Sequence, residues 1–280
     1  MDAFINYFSD MPTTHRSALL IGGLTIFFLI ENAAPLFAIN YNRKKHTGLN
    51  LFFTLTTIIV NFAMAFVLVM SADWVTTNEF GIINWIEMPL LAKIMVGLML
   101  MDLIGAYAPH WVEHHVTWMW QFHVIHHTDQ HVDTTTANRH HPGESVIRFI
   151  FALIAVFIVG ASMWLVFLYQ SMSVVMTQFN HTNVKMPAWL DNALVLIFCT
   201  PNMHRVHHHY RQPYSDTNYG NIFSFWDRLF GTYIEVDNSK LVYGVDTHMD
   251  KNEVESIVEL LKVPFKGHRK HIEYKKEEKL

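Results

Sequence analysis

The chain of 280 residues is poor in cysteine and in charged side chains, and each shortage excludes a class of protein. Its single cysteine, Cys199, excludes an intrachain disulfide framework and an iron–sulfur cluster held by several thiolates of this chain. A net charge of −4 lacks the basic excess of a nucleic-acid-binding protein, so we expect no nucleic-acid partner. Only 16% of the residues are charged and 51% are hydrophobic, a composition typical of a membrane protein.

Long apolar runs predict membrane-spanning helices, since about 20 such residues cross the hydrocarbon core. Residues 17–39, 49–71 and 89–108 meet this requirement. Arg43, Lys44 and Lys45 follow the first run, and the positive-inside rule therefore places that loop in the cytoplasm. No positively charged segment precedes the first run, so we expect no cleaved signal peptide.

A fourth apolar stretch, 146–180, is too long for one crossing. As a helix it measures roughly 50 Å, close to two short crossings. We therefore predict a helical hairpin that turns near Gly160 and returns the chain to the cytoplasmic side. The predicted fold is an all-α integral membrane protein with four to five membrane helices and a cytoplasmic, histidine-rich helical cap.

Three regions follow from this layout. We expect residues 1–100 to form the N-terminal membrane spans, 101–235 a histidine-rich domain that includes the hairpin, and 236–280 a cytoplasmic tail. Residues 262–280 carry seven Lys or Arg against three Glu. That basic segment either rests on an anionic leaflet or is a solvated tail.

Spaced histidines are the main chemical signal of the sequence. One pair has the spacing H-x-x-x-H, two distant sets share H-x-x-H-H, and two histidines stand singly. Side chains at i, i+3 and i+4 share one face of a helix, and neutral imidazole is the commonest metal ligand in proteins. Ten candidate ligands exceed what one ion can hold, so two metal ions are implied. The candidates are His110, His114, His123, His126, His127, His141, His181, His204, His207 and His208.

The first two histidine sets cannot lie on one straight helix. His114 and His123 are nine residues apart, a rotation of about 900°, which leaves them half a turn out of phase. We predict a break at Val116-Thr117, where β-branched residues weaken a helix.

The ligand type restricts the metal. Imidazole suits zinc, copper, iron and nickel, whereas calcium and magnesium prefer oxygen ligands. The H-E-x-x-H signature of zinc metalloproteases is absent from the sequence. Of the nine further histidines, we expect His15, His46, His248, His268 and His271 to be structural groups. His115, His131, His140 and His209 adjoin the sets, and contact with the site stays open for them.

Carboxylates are expected to orient the metal-binding imidazoles through their second ring nitrogen. Asp102 lies two turns before His110 in a membrane span, where an ionisable residue is expected to be functional. Glu144 follows His141 by three residues. We select Asp102 and Glu144 as the candidate catalytic carboxylates.

With these residues identified, the chain resembles the fatty acid hydroxylase and sterol desaturase superfamily of integral-membrane di-iron oxygenases. The matching segments lie in order and cover most of residues 102–233: 102–114, 120–127, 136–144, 181–183, 200–208, 216–220 and 225–233. Two positions depart from the family pattern. Trp111 replaces an arginine that usually follows the first histidine, and Thr177 stands where some members carry a further histidine.

The resemblance implies two iron ions, with O2 as cosubstrate, and the hydroxylation or desaturation of a lipid or sterol-like apolar substrate. It implies nine of the candidate histidines as ligands and makes His141 a further ligand or an outer group. Electrons would come from a separate reductase, ferredoxin or cytochrome. The expected location is the bacterial inner membrane or the endoplasmic reticulum, with the active site facing the cytoplasm.

Two alternatives remain open. One is an ether-lipid oxidase similar to alkylglycerol monooxygenase, with a pterin reductant. The other, from a different class, is a histidine-rich metal transporter or sensor, which would need ionisable groups strung through the spans. The histidines here gather at one membrane face instead, which favours an enzyme.

Overall fold

The computed structural model describes residues 2–272, and this part of the chain is built of helices and loops without a β-strand. In chain order the α-helices are α1 (Asp2–Ser9), α2 (Thr13–Ala33), α3 (Arg43–Thr77), α4 (Ile82–Trp85), α5 (Leu90–Asp102), α6 (Ala108–His115), α7 (Thr117–His127), α8 (Pro142–Val159), α9 (Met163–His181), α10 (Ala188–Leu194), α11 (Pro201–His207), α12 (Phe225–Phe230), α13 (Lys251–Val254) and α14 (Ile257–Lys262). A π-helical turn, Leu103–Tyr107, joins α5 to α6. Short 3-10 turns occupy Thr134–Asn138, Tyr214–Asp216, Asn238–Lys240 and Val263–Phe265. The all-α prediction is confirmed.

Four helical stretches within residues 2–272 are long and apolar enough to cross a membrane: Thr13–Ala33, Arg43–Trp85, Leu90–His115 and Pro142–Val159. They correspond to the three predicted spans and the first arm of the predicted hairpin. The second arm, α9, packs against α1, α2 and α11 rather than standing alone. The four candidate spans agree with the predicted number of four to five membrane helices.

The hairpin turns at Gly160, as the sequence predicted. This glycine ends α8 with φ 81°, a left-handed conformation that favours glycine because it lacks a Cβ. A Cβ at this position would collide with the Phe80 carbonyl, and the Asn84 amide donates a hydrogen bond to the Gly160 carbonyl at 3.0 Å. The turn makes α8 and α9 antiparallel, so His181 returns to the end of the bundle where α8 begins.

Two local irregularities set the phase of the histidine helices. Pro109 has no N–H to donate to the Gly105 carbonyl, and the π-helical turn lies directly before it. Val116 is extended, with φ −103° and ψ 108°, and separates α6 from α7. The predicted break at Val116-Thr117 is confirmed. It lets α6 and α7 both direct histidines at one centre.

The C-terminal segment forms a layer against α7 rather than a free tail over its described length. Leu260 and Val263 pack in one apolar cluster with Trp120, Val124 and Ile125. Three of its cations form ion pairs with acids of the same segment: Lys262 with Glu259, Lys266 with Glu253 and Glu259, and Arg269 with Glu253. Residues 273–280 of the predicted basic segment lie outside the described residues, and membrane contact by this segment stays a prediction.

Candidate metal centre

Nine histidines within residues 2–272 converge in two groups, each with its ligand atoms within 4.8 Å of one another. Cluster A consists of His110, His114, His123, His127 and His207. Cluster B consists of His126, His181, His204 and His208. The structure thus brings together nine of the ten histidines that the sequence singled out.

Each H-x-x-H-H set divides between the two clusters. His123 and His127 enter cluster A, whereas His126 enters cluster B. In the second set the division is reversed, since His207 enters cluster A and both His204 and His208 enter cluster B. Residues i and i+4 lie one above the other on a helix, while i+3 points to the side. The repeated motif therefore supplies ligands to two neighbouring centres, not to one.

The clusters share a wall of imidazole rings. The ring centroids of His127 and His208, one from each cluster, are 4.9 Å apart. Those of His204 and His207 are 5.2 Å apart. Metal ions held in the two clusters would be close neighbours, as a dinuclear centre requires.

The nitrogen atoms within each cluster have the spacing of ligands around one ion. In cluster A, Nε2 of His127 lies 3.1 Å from Nε2 of both His114 and His123. In cluster B, Nε2 of His181 lies 3.1 Å from that of His126 and 3.2 Å from those of His204 and His208. Two imidazole nitrogens at about 2.1 Å from an ion and at right angles are about 3 Å apart. The residues present fit a pair of imidazole-ligated metal ions.

Hydrogen bonds on the outer ring nitrogen identify which lone pairs face the centre of cluster A. Because carbonyl oxygens only accept, Nδ1 of His110 donates to the Tyr219 carbonyl at 2.8 Å and Nδ1 of His207 donates to the Thr217 carbonyl at 2.7 Å. Their Nε2 atoms are buried and have no other protein partner among residues 2–272. Such orphaned lone pairs, aimed at one point, are a metal site's donor set.

Carboxylates orient two more ligands of cluster A. His114 Nδ1 lies 3.0 Å from Asp216 Oδ1, and His123 Nδ1 lies 2.7 Å from Glu144 Oε1. A carboxylate on the outer nitrogen fixes the tautomer and makes the inner nitrogen a stronger donor. In cluster B the corresponding bond exists for His181, whose Nδ1 donates to the Thr177 carbonyl at 2.7 Å.

Burial keeps the imidazoles neutral, which is the form that binds a metal. Desolvation lowers the pKa of His123 to about 3, although Glu144 opposes the shift. Burial, together with neighbouring imidazoles, holds the pKa values of His126, His127, His204, His207 and His208 well below the ordinary value. These side chains need no deprotonation before they take up a metal near neutral pH.

Glu144 lies where the sequence argument expected a carboxylate. Its Oε1 accepts from His123 Nδ1, from His140 Nδ1 at 2.8 Å and from Arg148 Nε at 3.0 Å. The other end of the Arg148 guanidinium donates to Glu113 at 2.7 Å. Glu144 therefore ties a cluster A ligand to a buried ionic network.

Asp102 lies elsewhere and holds a loop. Its carboxylate accepts from the backbone N–H groups of Ile222 and Phe223 at 3.3 and 3.2 Å, and from Trp226 Nε1 at 3.1 Å. That loop begins at Tyr219, whose carbonyl orients His110. Asp102 thus acts on cluster A through the backbone of this loop, and its hydrogen bonds do not reach the histidines themselves.

His141 is the candidate ligand that the structure leaves out of both clusters. Its Nδ1 accepts a hydrogen bond from the Gly143 N–H at 2.9 Å and caps the start of α8. The adjacent His140 lies nearer the centre, because its ring packs on that of His126 with centroids 4.7 Å apart. His123, His140 and Glu144 also converge as a third potential ligand group.

Several groups that orient the clusters were missed by the sequence argument. Asp216 lies beside His114 and Glu113 beside His123, but nothing in the sequence distinguishes these two acids from the others near the histidines. Arg148 carries a usable signal, since it follows Glu144 by four residues on one helix face. The carbonyls of Thr217, Tyr219 and Thr177 leave no side-chain signature at all.

Comparison with known proteins agrees with this geometry. Residues 94–232, about half of the chain, match the sequence profile described as Fatty acid hydroxylase. This chain belongs to the fatty acid hydroxylase family. It is a membrane-bound oxidoreductase of the lipid-hydroxylase class with several membrane helices.

Relatives of this family member fall into two groups. The ornithine lipid hydroxylase of Rhizobium tropici is 25% identical over 240 residues, which cover 82% of this chain and 70% of that protein. The alkylglycerol monooxygenases of Caenorhabditis elegans and Homo sapiens are each 33% identical over 51% of this chain. The match spans only 27% and 31% of their own lengths. No solved structure matches this family member.

Proposed function

We propose that the chain binds one iron ion in each histidine cluster and uses O2 to hydroxylate an unactivated C–H bond of a membrane lipid. The observation that carries this proposal is the division of both H-x-x-H-H sets between two adjacent, all-imidazole clusters. Imidazole-rich sites suit iron. Rings of the two clusters lie with their centroids 4.9 and 5.2 Å apart, a closeness that suits two ions acting together. The family match and the hydroxylase relatives support the same reaction class.

The protein's part in this reaction is positioning and exclusion of water. Iron supplies the redox chemistry by which one oxygen atom enters the lipid and the other leaves as water, with two electrons and two protons delivered from outside. Glu144, Asp216 and the carbonyls of Thr217 and Tyr219 hold four of the five cluster A imidazoles in one tautomer. Fully buried His123, His127, His207 and His208 keep bulk water from the centre, which limits side reactions.

The electrons come from a separate donor protein in this proposal. Fe–S ligation within the chain is excluded because the chain has a single cysteine, Cys199, which is buried. A reductase, ferredoxin or cytochrome at the membrane surface would serve. Purified enzyme should therefore need an added donor for turnover.

An ether lipid is the second candidate substrate. Alkylglycerol monooxygenases are 31–33% identical to this chain over 51–58% of its length, a higher identity over a shorter region than the 25% over 82% of the ornithine lipid hydroxylase. Supplying membranes with an alkylglycerol or with an acyl-amide lipid distinguishes the two candidate substrates. Oxygen incorporation into the alkylglycerol alone, with a pterin reductant, would favour the ether-lipid reaction.

The central test is metal content together with oxygen-dependent product. We expect about two irons per purified chain, measured by plasma mass spectrometry, and a lipid product heavier by one oxygen atom. His126→Ala should abolish the product, whereas substitution of the exposed His268, which belongs to neither cluster, by alanine should not. Full activity of His126→Ala would overturn the proposed centre.

The clusters are proposed to face the cytoplasm. Arg43, Lys44 and Lys45 begin α3 at the same end of the bundle, and Lys45 pairs with Glu255 of the C-terminal segment at 2.7 Å. Because Cys199 is buried, a new cysteine at exposed Lys251 reports this side to an impermeant maleimide. Labelling of Lys251→Cys only in inside-out vesicles is expected, with Asn78→Cys as the opposite control. The reverse pattern would invert the topology.

A further inference from the structure

A cavity of about 200 Å³ lies between α2, α3 and α9, and none of the groups discussed above explains it. Part of its wall is apolar, formed by leucines 19 and 20 of α2, Ile58 and Val174. The rest carries polar side chains, which are costly in an apolar membrane environment unless they are functional. The cavity therefore suits an amphipathic molecule.

One end of the cavity borders the histidine clusters. Asn138 lines it and lies two residues before His140, whose ring packs on His126. Thr57 also lines it, and its hydroxyl is 3.1 Å from that of Ser145, the residue after Glu144. A lipid bound in the cavity could place the end of its hydrocarbon chain here, directed at the metal centre.

The opposite end lies one to two helical turns further away. On α9 the lining runs from Val174 back to Phe167, roughly 10 Å at 1.5 Å per residue. His181 is a further seven residues beyond Val174 in the other direction, again roughly 10 Å. The two ends of the cavity are thus at clearly different distances from the clusters.

The distant end carries a positive charge without a matching acid. Arg16 stacks its guanidinium on Phe167, 4.7 Å from the ring centroid, and donates a hydrogen bond to the Thr13 hydroxyl at 3.0 Å. Within residues 2–272 it forms no ion pair, and no acidic side chain lines the cavity. The side-chain amides of Asn61 and Gln170 line the same end and are exposed, as Arg16 is. An anionic, hydrogen-bonding group is the complement of these three side chains.

We propose that this cavity binds the acyl-lipid substrate, with the anionic polar end of the lipid at Arg16 and its hydrocarbon chain directed past Asn138 towards the clusters. The fixed separation between Arg16 and the clusters then selects which carbon is hydroxylated. This inference rests on the proposed lipid-hydroxylase function and adds the chemical class of the substrate and the residue that recognises it. A lipid with an uncharged end binds more weakly because Arg16 gains nothing from it.

Binding is tested without turnover, on the full-length chain under nitrogen. The probes are two photoreactive diazirine lipids of equal length, a palmitate and the corresponding hexadecanol. We expect Arg16→Gln to lower labelling by the palmitate probe about tenfold and to leave hexadecanol labelling unchanged. Arg16→Lys should retain most palmitate labelling, and Lys93→Gln, a cation on α5 outside the cavity, should retain all of it.

The labelled peptides decide where the probe lies. We expect adducts in residues 54–61 or 167–174, which carry the α3 and α9 parts of the lining. Equal palmitate labelling of the wild type and Arg16→Gln, or adducts confined to other segments, would overturn the proposal. Since no iron chemistry is needed, palmitate labelling of the wild type that falls in Arg16→Gln, combined with no iron in the purified chain, would keep this lipid site and reject only the oxygenase.

Product position tests the second half of the proposal. The wild type should place oxygen at one carbon of a fatty-acyl substrate, and Arg16→Gln should spread it over several carbons, as fragment masses of the product show. Gln170→Leu should weaken binding less than Arg16→Gln, because it removes a neutral group. An unchanged product position in Arg16→Gln would refute selection of the carbon by this residue.

Discussion

The two histidine clusters are built from the same motif but are supported differently. In cluster A, four of the five imidazoles have an acceptor on Nδ1: two carboxylates and two carbonyls. In cluster B, His181 has such an acceptor, while Nδ1 of His126, His204 and His208 is buried without a protein partner among residues 2–272. Outer hydrogen bonds fix ligand orientation and raise ligand basicity. Cluster A should therefore be the more rigid and the tighter metal site.

Packing, rather than hydrogen bonding, holds cluster B. His126 lies between the rings of His140 and His208, each with its centroid 4.7 Å away. Beside His204, the buried Arg205 donates to the carbonyls of Thr182 and Val184 and fixes the segment after α9. A ligand oriented by stacking is easier to displace than one oriented by a carboxylate. Two copies of one motif therefore do not form equivalent sites.

Removing one ligand from each cluster should have the largest effect. His207→Ala and His204→Ala come from the same motif copy but from different clusters. We expect each to lower turnover at least about a thousandfold, since each ion contributes several kcal/mol of stabilisation. Iron should fall to about one per chain in both, as elemental analysis would show. Two irons retained in either variant would break the assignment of that histidine.

The second-largest expected effect is a difference between the two clusters in how readily a chelator removes their iron. Cluster B lacks most outer acceptors, and their loss typically lowers metal affinity about 10–100-fold. A chelator titration of the wild type should therefore remove iron in two steps, with the cluster B ion lost first. His181→Ala should lack the first step. A single step for the wild type would show that the two sites are equally tight.

Weakening one carboxylate should make cluster A resemble cluster B. Glu144→Gln keeps the shape of the side chain but removes the charge that orients His123. We expect iron affinity of cluster A to fall about 10–100-fold. Asp216→Asn should cost less, about tenfold, because Asp216 is partly exposed to solvent. Iron affinity unchanged in both variants would remove the distinction drawn between the clusters.

His141→Ala should have the smallest effect. Its ring caps α8 and lies outside both clusters, so we expect iron content to stay at the wild-type value. Loss of the cap should lower the free energy of unfolding by about 0.5–2 kcal/mol, measured as a fall in melting temperature. His140→Ala serves as comparison and should lower activity more, because His140 contacts His126 and Glu144. Iron loss in His141→Ala alone would make it a ligand after all.

The sequence was sufficient wherever local geometry or chain length leaves one solution. The phase difference between His114 and His123 requires a helix break, and the structure has it at Val116. The length of 146–180 predicts a chain that turns back on itself, and Gly160 supplies the left-handed turn. These features depend on helical rise, helical periodicity and membrane thickness, which are the same in every protein.

The sequence was weaker for residues whose role depends on what lies opposite them. Asp102 is an unusual acid in a membrane span, but its partners are two backbone N–H groups and the Trp226 indole, all 120 or more residues away, and a catalytic role stays a prediction. His141 and His140 are adjacent, and the direction in which each ring points is set by the start of α8. Such choices are made by contacts between distant segments, which periodicity does not report.

The pattern of the sequence was thus enough to predict that spaced histidines gather at one end of an all-helical membrane protein, although it included His141, which lies outside both clusters. How the other nine divide into clusters A and B depends on the fold, because i+3 and i+4 diverge once α7 faces α11. The fold also places backbone carbonyls where they accept hydrogen bonds from two cluster A imidazoles, whereas most cluster B imidazoles are held by ring stacking. Every residue has a carbonyl, so its use as an acceptor leaves no trace in the sequence and arises from the fold alone.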